Sequence, residues 1–216
     1  MIQKMLRTIT AKHHLNAITI GEYAKMKVGV MNFQIWAFHA EGLGHVSAMQ
    51  ASGMFGLMKM DTLIINPTEK DMPLFSYDRV HAMGNDTLIY ELYDTILEKA
   101  DLNRVEDVKV KYRHLPDHDL GEHWYDSIKL AISLSKKGKK VHTAAFDSCA
   151  MEYLDAYLAD ADEAEYCEPA GKKEKASVYV EGLLANGGPS TDVFKKGLGE
   201  EKTADLFRNV LFGTAR

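Results

Sequence analysis

Asp78 lies in Pro73-Leu74-Phe75-Ser76-Tyr77-Asp78-Arg79-Val80, a run that otherwise reads as buried strand. Counted in twos, Leu74, Ser76, Asp78, Val80 and Ala82 share one face, and Phe75, Tyr77, Arg79 and His81 share the other. A carboxylate in line with apolar and small neighbours is paired, solvated in a cavity, or protonated. Held in a cavity, such a carboxyl is an acid that can give a proton to a bound substrate. The alternative is a strand-end aspartate bonded to backbone in the turn around Gly84-Asn85-Asp86. The residues alone leave both readings open.

Two further polar residues stand in strand-like surroundings. His45 follows Gly44 and shares its face with Ser47 and Met49, and Asp61 interrupts Met60-Asp61-Thr62-Leu63-Ile64-Ile65. With Asp78 they fall on three successive predicted strands. An antiparallel meander can bring such positions side by side, and two carboxylates with an imidazole in one cavity make a proton-handling site. The expectation depends on register, because a one-residue slip sends any of the three to the opposite face. Taken singly, a histidine such as His45 is more often an ordinary hydrogen-bonded residue.

Other chemistries find little support. No glycine-rich dinucleotide or nucleotide motif occurs, and Gly42-Leu43-Gly44 and Gly53-Met54-Phe55-Gly56 read as turns. No serine nucleophile elbow is present. His13-His14 and the pair His118 and His123 lack the helical spacing of a zinc site, so no metal is expected. Cys149 and Cys167 are the only two cysteines, too few for a disulfide scaffold or an all-cysteine metal site. A net charge of −5 argues against a general nucleic-acid binder. No apolar stretch has the length of a signal peptide or a membrane span, which predicts a cytoplasmic protein that does not engage a membrane.

The 216 residues are read as one domain, 1–216, large enough for a sizeable core. Its first half predicts strands at 28–39, 45–51, 57–65, 73–82 and 87–93, separated by gaps too short for crossover helices. That pattern is an antiparallel meander. Leu63, Ile64 and Ile65, like Leu88, Ile89 and Tyr90, are apolar at both parities, so helices are expected on both faces. The spacing predicts helices at 2–11, 124–134, 145–160, 175–185, 190–198 and 200–212, with Ser190 or Thr191 as an N-cap and Gly199 as a stop. The fold class is therefore α/β, a three-layer α/β/α sandwich around an antiparallel sheet.

With these elements in order, the chain resembles the ferredoxin-dependent bilin reductases, the group that includes phycocyanobilin:ferredoxin oxidoreductase and, more distantly, red chlorophyll catabolite reductase. The stretch from Asp61-Thr62-Leu63-Ile64-Ile65-Asn66-Pro67 to Pro73-Leu74-Phe75-Ser76-Tyr77-Asp78 is similar to the family's strand–turn–strand with its Pro-hydrophobic-Phe-x-x-Asp run. Ala164-Glu165-Tyr166 onward is weakly similar to the region before the last helices. Gly197-Leu198-Gly199-Glu200-Glu201 through Asn209-Val210-Leu211-Phe212 resembles the family's closing segment.

The resemblance implies a linear tetrapyrrole, a bilin such as biliverdin, held between the sheet and the C-terminal helices. It implies no metal and no tightly bound cofactor. Electrons arrive singly from reduced ferredoxin, and side chains protonate substrate radicals. Asp78 matches the family's proton-donating aspartate; Asp61 stands where phycocyanobilin:ferredoxin oxidoreductase has a histidine; His45 falls near a second-strand histidine of some members. Ser76, Asn186 and Asp192 are the implied substrate contacts. Asn186 matches the family's Asn-Asp turn, but the aspartate position is Gly187, and Asp192 comes a turn later. A non-catalytic tetrapyrrole carrier and a red-chlorophyll-catabolite-type reductase are the alternatives. The lysines at 136–140 and 172–175 are candidate contacts for an acidic ferredoxin.

Overall fold

The computed structural model describes residues 1–53 and 56–215. Met54 and Phe55, the middle of one predicted turn, lie outside the described residues. The chain begins with helix α1 (Ile2–Thr10), followed by strands β1 (Leu15–Ala17), β2 (Lys25–Val28), β3 (Met31–Ala40), β4 (Gly44–Gly53), β5 (Met58–Asn66), β6 (Leu74–Ala82) and β7 (Asn85–Tyr93). Next come α2 (Asn103–Lys111), the edge strand β8 (Leu134–Lys139), and helices α3 (Thr143–Glu163), α4 (Pro169–Asn186), α5 (Pro189–Leu198) and α6 (Glu200–Asp205). The last helix runs straight on into a π-helical segment, Leu206–Leu211.

All strands join one antiparallel sheet in the order β1-β3-β4-β5-β6-β7-β8, with β2 also paired to β3. From β3 to β7 neighbours in sequence are neighbours in space, as short hairpin connections require. The β6–β7 turn shows why: Ala82 pairs with Asn85 across only Met83 and Gly84, both at positive φ (50° and 75°). Two left-handed residues give the hairpin twist that matches the strands. The single strand expected at 28–39 is in fact two, because Val28 pairs with Met31 and the chain turns at Gly29, φ +58°.

Alternation assigns the two faces to two cores. On one side Val46, Leu63, Phe75, Tyr77 and Tyr90 pack with Ile2, Met5 and Ile9 of α1 and with Tyr153, Leu154 and Tyr157 of α3. Tyr90 stacks on Tyr153 with centroids 4.2 Å apart, an arrangement worth about 0.5–1.5 kcal/mol beyond area burial. On the other side Ile35, Met49, Ile64 and Tyr93 pack with Tyr179 and Val180 of α4, Phe194 of α5, and Leu206, Phe207 and Leu211. The sandwich expected from the apolar runs is what the chain forms.

The helix expected at 124–134 does not form. Residues Trp124–Ser127 make one 3-10 turn, and Leu134–Lys139 is a strand along the edge of β7. Leu134 and Lys136 alternate inward, and the Lys136 ammonium donates to Leu115 O (3.0 Å) and Asp117 (2.5 Å). Pairing with an otherwise bare sheet edge overrides the helical spacing of Trp124, Ile128 and Ala131. Helix α2 had no counterpart in the expectations, and α5 is entered from Gly188 with no side-chain cap from Ser190 or Thr191.

Candidate active site

Asp78 is a mid-strand residue, not a turn residue: its Cα partners are Thr62 on β5 and Ile89 on β7. It projects with Ser76 and Val80 into a cavity of about 230 Å³ between the sheet and the C-terminal helices. The floor is Met49, Met60, Thr62, Ile64, Ile89 and Glu91; Tyr125, Tyr179, Phe194, Phe207 and Leu211 close the sides and roof. Two observations define the acid. Thr62 Oγ1 donates to Asp78 Oδ1 at 2.5 Å. Burial pushes the Asp78 carboxyl up to about 6; the Thr62 bond works against this and the charge of Glu91 adds to it. Desolvation outweighs the single hydroxyl because one neutral hydrogen bond restores little of the hydration that a carboxylate loses.

The remaining predicted residues divide. Ser76 lines the cavity beside Asp78. Asp61 does not: its Cα partners are Gln50 and Arg79, which places it on the opposite face with Leu63. There it accepts from Gln50 Nε2 at 2.9 Å, lies 3.3 Å from the Met1 amino group, and borders an open polar groove with Lys25, Lys27 and Lys59. The residue across from Asp78 is Thr62, so the expected cluster of His45, Asp61 and Asp78 is corrected by one step of register.

His45 is on the cavity face but at the end of β4, away from the cavity walls. Its Nε2 donates to Val210 O at 2.8 Å, next to Ser47 Oγ donating to Leu211 O (2.7 Å) and Asn66 Nδ2 donating to Phe212 O (2.8 Å). These three side chains satisfy carbonyls that the ending π-helix leaves without partners. Gly213 follows at φ +64°, where a Cβ would stand 2.5 Å from the His45 ring. His45 thus holds the roof segment in place. Asn186 and Asp192 are also outside the cavity: Asn186 Nδ2 donates back to Gly182 O, and the exposed Asp192 lies against Gly187. Gly188, Ser190 and Thr191 form this part of the wall instead.

The cavity holds two groups that the sequence reading did not assign to it. Glu91 is the second carboxylate, one strand over from Asp78, with Oε2 accepting from Tyr93 OH at 2.6 Å. His123, weighed only for metal spacing, is a wall residue whose ring stacks on Tyr125 at 4.8 Å. Counting from the hairpin at Met83-Gly84 would have put Glu91 on Asp78's face; no local signal marked His123. The lysine clusters change as well. Lys136 is buried, and Lys172 is fully buried against Met72 O and Thr95 O, with its ammonium pushed down to about 8 by desolvation. Neither can meet a partner protein.

An α/β/α sandwich with a meander sheet and an acid-bearing cavity under its C-terminal helices is the fold class this geometry defines. Among solved structures, the chain is similar to phytochromobilin synthase from tomato in complex with biliverdin, with a TM-score of 0.80 over 99% of this chain and 82% of that one. Sequence identity is 17%, so the likeness is one of fold. No family model and no curated protein matches the chain. Among the described residues no helix is long and apolar enough to cross a membrane.

Proposed function

We propose that this chain is a bilin-type reductase that takes up a linear tetrapyrrole and protonates it at Asp78 while electrons arrive one at a time from reduced ferredoxin. The observation that carries the reading is the Asp78 carboxyl itself, cavity-facing, held by one hydroxyl and poised near 6. At that value the acid and its carboxylate are both populated near neutrality, as a repeating proton donor requires. The likeness of fold to a biliverdin-bound protein supports the choice of pigment.

Reduction of one pigment double bond takes two electrons and two protons. Each electron added makes the pigment more basic. The Asp78 O–H gives its proton to a carbonyl oxygen or pyrrole nitrogen, and the resulting carboxylate recovers a proton from solvent. Thr62 keeps the receiving oxygen in place between turnovers. The aromatic walls exclude water and offer flat faces to a conjugated ring system. No resident cofactor is part of the scheme.

Mixing the protein with biliverdin and then with chemically reduced ferredoxin tests this. The expected result is a shifted visible band on mixing that then converts to a product band. Asp78→Asn should keep the first change and lose about 10²–10⁴-fold in the rate of the second. Equal rates in parent and variant would remove Asp78 from the mechanism. A carrier is the second reading, favoured by the position of Asp192 outside the cavity; it predicts a band that shifts on mixing and never converts.

A further inference from the structure

Glu91 has no role in the scheme above, yet its position is hard to explain by packing alone. It sits on β7 opposite Ser76, diagonal to Asp78 across the β6–β7 pair, on the cavity face of the sheet. Residues so related stand about 7–8 Å apart. Its neighbours along that face, Ile89 and Tyr93, and the facing Tyr125 and Tyr179 make an apolar or aromatic wall. A leucine would fill the space, whereas a buried carboxylate costs several kcal/mol unless something pairs with it.

The partners present, Tyr93 and Lys129, use only part of its capacity. One oxygen accepts from Tyr93 OH; the other has no hydrogen-bond partner among the described residues. Lys129 Nζ forms an ion pair with that second oxygen at 3.7 Å, beyond hydrogen-bond reach, and donates to Asp126 Oδ1 at 2.6 Å. A carboxylate offers about four acceptor positions, and one is used. Glu91 is therefore a carboxyl group with spare acceptor capacity, 9% exposed, in the wall of a cavity whose other carboxyl group is Asp78.

We infer that Glu91 is a second anchor for the pigment, accepting one of its pyrrole-type N–H groups on the β7 side while Asp78 serves the β6 side. This rests on the pigment-binding reading of the cavity. An open-chain tetrapyrrole presents N–H donors along its inner edge and carboxylates at its periphery, so an acceptor deep in the wall selects for the inner edge. Two carboxylates flanking Ser76 also fix which way round the ring system lies. Glu91 is here a positioning and binding residue.

The test titrates biliverdin and its dimethyl ester into parent, Glu91→Gln and Lys129→Met proteins, following visible absorption, with melting temperatures of the ligand-free forms alongside. Loss of a charge-assisted bond weakens binding about 10–100-fold. The expected result is that loss for both ligands in Glu91→Gln, with an unchanged melting temperature, and full affinity for both in Lys129→Met. Affinity within twofold of the parent in Glu91→Gln overturns the inference and leaves the pigment-binding reading intact. A loss confined to the free acid in Lys129→Met overturns it too, because Lys129 would then be meeting a pigment carboxylate. Should Glu91→Gln fail to fold, a tenfold loss for the free acid alone in Lys129→Met overturns it by the same reasoning. Failure of the parent protein to bind either ligand removes the underlying reading and the anchor with it.

Discussion

Thr62 and Asp78 face each other across β5 and β6, hydroxyl to carboxylate at 2.5 Å, and nothing else hydrogen-bonds that carboxylate among the described residues. The pair is neighboured by Tyr77 and Arg79, whose side chains go to the opposite, fully packed core. A strand pinned on one face presents its other face without play. The carboxyl is thus placed by the sheet while its charge is left undercompensated, the combination that keeps an acid oriented and lets it hold a proton to higher pH than a solvated carboxyl does.

That undercompensation has a cost in stability with a definite sign. Between about 3.8 and about 6 the folded protein holds a proton on Asp78 that the unfolded chain has lost. Stability from this group is therefore full below that window and falls as pH rises through it. Asp78→Asn removes the effect. Relative to the parent, the variant should gain about 1–3 kcal/mol between about pH 4 and pH 7. Urea midpoints at the two pH values measure it; an unchanged difference would mean that Asp78 titrates as in water.

Thr62→Val deletes the one bond that holds the Asp78 carboxyl down. The carboxyl should then titrate above about 6, and the alkaline limb of any Asp78-dependent rate should move upward with it. Infrared detection of the protonated carboxyl across pH, in the ligand-free protein, checks the direction.

Asn66 is fully buried and donates to Phe212 O at the end of the roof segment. Asn66→Ala strands that carbonyl and should cost about 1–3 kcal/mol, read as a lower urea midpoint. The same variant should bind pigment less tightly, since the roof that it secures carries Phe207, Leu211 and Phe212 into the cavity wall.

A volume of about 230 Å³ is below the 300–1,000 Å³ of typical small-molecule sites. Uptake of a pigment as large as biliverdin must therefore displace part of the wall. The sheet side is locked by strand pairing, so the movable part is the helical side, from Gly188 through α5 to Leu206–Leu211. Amide hydrogen exchange there should slow on adding biliverdin while exchange in β5–β7 stays constant.

The sandwich and the meander were readable because hairpin gaps exclude crossovers and because Leu63-Ile64-Ile65 is apolar at both parities. Asp78 was readable for a related reason: a charge between Tyr77 and Arg79, on the parity of Leu74 and Val80, needs an unusual environment. Asp61 was misplaced because its local sequence is equally strand-like on either parity, and only pairing with Gln50 and Arg79 decides its face. The helix expected at 124–134 failed for want of the same long-range information, since β7 needed an edge partner that no window of residues reveals. His45, Asn186 and Asp192 were sought in the site and lie at its margins, because a motif match fixes order along the chain and leaves side-chain reach open.

The alternation along β5, β6 and β7 has a consequence for how such a protein can diversify. Every second position builds the tyrosine-rich interior under α3, and several of the positions between them line the cavity. On the proposed function, preference for a differently shaped pigment can be rewritten at Met60, Ser76 and Ile89 with little disturbance to Tyr77 or Tyr90. A scan of tolerated substitutions along these strands should therefore show a two-residue beat, permissive on one side and unforgiving on the other.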